Sequence, residues 1–104
     1  MTREIAIFEL NELFIGEGRA VRLGLHRLFV VRLEDRVTCY EDRCPHLGFP
    51  LSEGRLEGTA LVCAAHGWEF DVESGLGTNP ERCRLRSHPV RVVDGTVLVE
   101  VEEA

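Results

Sequence analysis

The chain has no lysine. All twelve of its cations are arginines, a bias that coding preference in the source genome is enough to explain. It also lacks any surplus of positive charge: eighteen acidic residues outnumber those twelve arginines, and the net charge is −6. Gripping a phosphate backbone needs a basic face, so nucleic acid is not an expected partner. Long apolar runs are missing too. The N-terminus reads MTREIAIFEL, with Arg3 and Glu4 early in it. Neither a signal peptide nor a membrane-spanning helix is therefore expected, and the cytoplasm is the expected compartment. Thiols stay reduced there, so the four cysteines need not form a disulfide framework. No linker and no internal repeat divides the chain. Its 104 residues, 44% of them apolar, suit one folded domain over 1–104.

What is present has an all-β texture. Short apolar runs are broken by turn residues every eight to twelve positions. Residues 3–8, 19–23, 27–33 and 37–40 read as strands, with Glu34-Asp35 turning the chain between the last two. Residues 11–13 have room for one helical turn. PVRVV and TVLVEV flank Asp94-Gly95, a pair that favours the tight hairpin turn matching strand twist. The run GRLEGTALVC reads as a second hairpin around Gly58-Thr59. SGLGTNP, at 74–80, carries no helix or strand signal and is expected to be a loop.

Two stretches break the β pattern. Cys44 and His46 lie two apart, and sixteen residues separate them from Cys63 and, three positions further on, His66. Two thiols and two imidazoles on two loop tips point to a metal. Tetrahedral zinc takes such a ligand set, with pairs usually spaced two to four residues apart. Cys63-Ala-Ala-His66 fits that spacing, but Cys44-Pro-His46 does not, because one intervening residue makes it hard for both side chains to reach one ion. Each loop more easily sends its cysteine to one iron and its histidine to a neighbouring one. That is the [2Fe–2S] arrangement in which two histidines replace two cysteines on one iron. Zinc remains the alternative on the residues alone.

The spacing and its flanks, CPHLGFPLSEG and CAAHGWEFDVESGLGTNPERCRL, resemble the Rieske family. Within it, the run on to HPVRVVDGTVLV is similar to the ferredoxins of soluble diiron monooxygenases of the toluene monooxygenase type. The resemblance implies an antiparallel β-sandwich carrying a small cluster-binding subdomain, here about 43–80, formed by two loops. It implies one [2Fe–2S] cluster, with Cys44 and Cys63 on the inner iron and His46 and His66 on the outer one. A proline loop, Gly77 to Pro80, would pack over it. High-potential relatives place Ser and Tyr hydroxyls where this chain has Trp68 and Phe70, and a disulfide where it has Phe49 and Ala65. Both departures imply a potential toward the negative end of the Rieske range of ~−150 to +300 mV.

Two ferric irons, two sulfides and two thiolates sum to zero charge, so one added electron leaves a single negative charge. With every iron position filled and no nucleophile or general base in view, the chain is expected to carry electrons and not to catalyse. The resemblance implies an NADH-dependent flavoprotein reductase as donor and an oxygenase hydroxylase as acceptor. A monomer is expected. The ferredoxin of a ring-hydroxylating dioxygenase is the neighbouring alternative, and a structural zinc module is the alternative from another class. Cys39 is expected to be a core thiol and Cys83 to pack near the cluster without binding it. His26 and His88 are expected at the surface or the edge of the core. Trp68, Leu47, Phe49 and Pro80 are candidates either to shield the cluster or to meet a partner.

Overall fold

The structure, a computed structural model, describes residues 1–45, 48–64, 67–79 and 81–102. The described residues form ten strands in three antiparallel sheets. β1 (Thr2–Glu9), β10 (Thr96–Glu102) and β9 (Val90–Val93) make the first sheet, in the order β1-β10-β9. β2 (Gly18–Leu23), β3 (His26–Arg32) and β4 (Val37–Glu41) make the second. The third holds β5 (Arg55–Glu57), β6 (Ala60–Val62), β7 (Glu69–Asp71) and β8 (Gly77–Asn79) in sequence order.

The second sheet is the middle layer, and β3 shows why. A strand sends successive side chains to opposite faces. Leu28 and Val30 of β3 join Val37, Cys39, Val97, Val99 and Val101 in a core against the first sheet. Phe29 and Val31 join Tyr40, Cys44, Leu51, Leu61, Cys63, Phe70 and Val72 in a second core against the third. The run Leu28–Val31 is thus buried on both sides, which is why it reads as continuous apolar sequence and not as alternation. Each such side chain contributes roughly 1.5–3 kcal/mol by leaving water. The Tyr40 hydroxyl donates to the Val72 carbonyl at 2.6 Å, and a Cβ on Gly75 would come within 2.9 Å of its ring. β4 is thereby fastened to the turn that follows β7.

The expected strands at 3–8, 19–23, 27–33 and 37–40 and both expected hairpins are present. Asp94 and Gly95 both have positive φ, 50° and 82°, as the hairpin turn requires. The expected loop at 74–80 needs correction. Gly77–Asn79 is a strand, paired through Glu69↔Asn79 and Phe70↔Gly77. Its polar residues show no alternation because two of its three positions face solvent. β7 escapes the sequence for a similar reason: of Glu69-Phe70-Asp71, only Phe70 points into the core.

Candidate metal centre

Cys44 and Cys63 sit on two matching loops. In the first, the Cys44 N–H donates to the Phe49 carbonyl at 2.7 Å. In the second, the Cys63 N–H donates to the Trp68 carbonyl at 2.7 Å. Each cysteine therefore opens a lasso closed by the residue five positions on. Each lasso has a glycine at its fourth step, Gly48 at φ 76° and Gly67 at φ 65°. That left-handed backbone turns the chain back on itself and disfavours any side chain.

The second loop extends a hairpin. β6 and β7 pair through Val62↔Glu69, so the Cys63–Trp68 bond adds one more rung. The first loop follows the end of β4 and runs into a single 3-10 turn at Leu51–Glu53. Beyond the loop's own backbone bond, the Asp42 side chain ties its two ends together. Ser52 donates its N–H to Asp42 Oδ1 at 2.8 Å and its hydroxyl to Asp42 Oδ2 at 2.7 Å. Leu51 is buried in the core beside both cysteines. A Cβ on Gly54 would lie 2.3 Å from the Val62 carbonyl oxygen, so only glycine lets the end of the first loop press on the start of the second. Three members of the stretch LSEG thus have separate tasks: Leu51 packs, Ser52 clips and Gly54 allows contact.

Cys44 is 1% exposed and Cys63 2%, and both belong to one buried cluster. Two buried sulfur donors, brought into one cluster by two equivalent loops, fit the inner iron of a two-iron site. Cys39 is also buried, but in the other core, where burial pushes its thiol up to about 12. That makes it an inert core residue, as expected. Cys83 is half-buried against the cysteine-bearing core, and its carbonyl accepts from the Gly77 N–H at 2.7 Å. Trp68 is half-buried and packs on the same core, whereas Phe49 is 45% exposed. His26 and His88 lie at the edge of the scaffold with their rings 6.3 Å apart. His46, Leu47, His66 and Pro80 lie outside the described residues.

Residues 4–89 match the Rieske [2Fe-2S] domain family. The chain belongs to the Rieske family. Its Rieske relatives include the ferredoxin component of the alkene monooxygenase system of Xanthobacter autotrophicus, 37% identical over 99 residues, which are 94% of this chain and 81% of the relative. Ferredoxin CarAc of Metapseudomonas resinovorans is 36% identical over 86 residues, covering 82% of this chain and 80% of its own. Among solved structures, a chain from the complex of reduced oxygenase and oxidised ferredoxin in carbazole 1,9a-dioxygenase superposes with a TM-score of 0.83 at 33% identity. That match covers 92% of this chain and 91% of that one. The Rieske cofactor is a [2Fe–2S] cluster with mixed cysteine and histidine ligation, so the zinc alternative is set aside. The β-sandwich expectation and the electron-carrier expectation both hold for a Rieske ferredoxin. Nothing in the sequence marks Asp42, Ser52 and Gly54 as residues of the site. Asp42 lies two positions before Cys44, but no feature of an isolated Asp and Ser ten residues apart announces a clip.

Proposed function

We propose that this chain is the ferredoxin of a multicomponent diiron monooxygenase. It takes single electrons from an NADH-dependent flavoprotein reductase and passes them to the hydroxylase. Cys44 and Cys63 hold the inner iron of the cluster, and His46 and His66 hold the outer one. The cluster supplies one-electron transfer. The protein's task is to keep it rigid and nearly dry. Burial of both cysteines in the core against β3 serves that task, and so do the two lassos, which fix the sulfurs on a backbone already hydrogen-bonded. The cluster-binding subdomain is the third sheet with the two loops and the connection between them. Trp68 braces the second loop from within, while the exposed ring of Phe49 is available to a partner at the first. A carrier must release each partner, so the interface is small and transient. The carrier works as a monomer in the cytoplasm.

The observation that carries this reading is the pair of buried cysteines at equivalent positions of two matching loops. The likeness to the alkene monooxygenase ferredoxin supports the choice of partner. The test is a redox titration followed by electron paramagnetic resonance, then reconstitution with a diiron hydroxylase. A single-electron signal of low mean g, appearing only at negative potential, together with turnover in the reconstituted system, is the expected result. Zinc without iron or sulfide would overturn it. The likeness to the carbazole dioxygenase ferredoxin favours a second reading, in which the acceptor is a ring-hydroxylating dioxygenase. Faster turnover with that oxygenase would select it.

A further inference from the structure

We propose that Asp42 is a positioning residue with an electrostatic role: its buried carboxylate clips the first ligand loop and holds the reduction potential of the cluster down. The inference rests on the ligand assignment proposed above. Asp42 stands two residues before Cys44 and is only 9% exposed. Both of its oxygens are occupied by donors from Ser52, the backbone N–H and the hydroxyl. Those donors are neutral. They satisfy the oxygens and order the loop, but they leave the net negative charge in place.

That charge acts on the electron transfer itself. The cluster with its two thiolates is neutral when oxidised and carries one negative charge when reduced. A fixed anion nearby therefore penalises only the reduced state. The penalty is largest where water is scarce, because the effective dielectric constant there is low. Arg43, the next residue, carries the opposite charge. Its guanidinium lies over the same loop, within 3.2 Å of where a Gly48 Cβ would be. Arg43 is exposed, however, so water and salt screen it. The two neighbours do not cancel. The buried anion dominates, and the site is poised for a donor of low potential.

Potentials of the wild type and three variants test this, each measured at low and high salt after iron and sulfide analysis. Asp42→Asn keeps the shape of the clip and removes the charge. It should favour the reduced state about tenfold, a rise of about 59 mV for one electron, with little dependence on salt. Ser52→Ala keeps the charge and removes a donor that softens it, so the potential should move the opposite way, about two- to threefold. Arg43→Gln should lower it less than twofold at low salt and not at all at high salt. Damage to the loop without any electrostatic role would shift Asp42→Asn and Ser52→Ala in the same direction. That result, or no shift in either, overturns the inference and leaves the carrier function standing. If Asp42→Asn assembles no cluster, the sign of the Ser52→Ala shift decides alone. A wild type lacking iron and sulfide would sink both readings.

Discussion

The two cysteine loops have the same backbone design and different foundations. The second, Cys63 to Trp68, is the continuation of the β6–β7 ladder, and its base is backbone hydrogen bonding. The first, Cys44 to Phe49, leaves the β3–β4 ladder, which the Asp42 N–H extends by donating to the Arg27 carbonyl at 2.8 Å, but its two arms do not pair with each other and are tied by the Asp42 side chain to Ser52. A backbone ladder is nearly indifferent to side-chain identity, whereas a side-chain clip fails with one substitution. The second loop should thus tolerate mutation around its base, and the first should not.

The largest expected effect treats the loops as equals. Cys44→Ser and Cys63→Ser should each abolish the cluster, while Cys39→Ser and Cys83→Ser should retain it. Iron and sulfide content with the paramagnetic signal reads this, and retention in either of the first two would break the proposed symmetry.

The next contrast separates the foundations. Asp42→Ala removes the acceptor of both Ser52 hydrogen bonds and should cost about 0.5–1.5 kcal/mol. Glu69→Ala, at the base of the second loop, removes a side chain but no rung and should cost less than about 0.5 kcal/mol. Chemical denaturation of both variants would show equal losses if the two bases were alike.

Alanine at the loop glycines sharpens the point. Gly48→Ala and Gly67→Ala should each cost about 1–2 kcal/mol, since both force a side chain into left-handed backbone. A Cβ at Gly67 meets nothing within 4 Å, whereas one at Gly48 meets the Arg43 side chain. Any excess at Gly48 should therefore vanish when Arg43→Ala is added, and a double-mutant cycle measures it.

The smallest effect lies outside both loops. Burial holds His88 below its ordinary value near 6.5. The folded state thus disfavours the charged ring. Its contribution to stability is present above about pH 6.5 and is lost as the pH falls through that value toward the folded pKa. His88→Gln should flatten the stability profile on that acid limb, and an unchanged slope in denaturation between pH 7 and 5 would count against it.

The chemistry was more legible in the sequence than the framework that holds it. Cys44 and Cys63 announce themselves because thiols beside histidines at tight spacing are rare. The strands of the scaffold were legible because Leu28–Val31 and Val97–Val101 carry apolar runs or alternation. β8 was not, since Gly-Thr-Asn becomes a strand only by pairing with β7. The clip was not, since Asp42 and Ser52 are polar residues of ordinary type whose meeting depends on the path of the loop between them. Long-range pairing and side-chain meetings of this kind are decided by the fold, and leave no local pattern.

The double burial of β3 has a further consequence, for cooperativity. One strand belongs to both cores, so neither can open without stripping a face from the other. Scaffold and cluster sheet should then melt as one unit, and the β3 amides should be among the last to exchange with deuterium. An electron carrier gains from that arrangement. A disturbance at the rim then leaves the strand behind Cys44 and Cys63 in place, and with it the spacing of the two sulfurs.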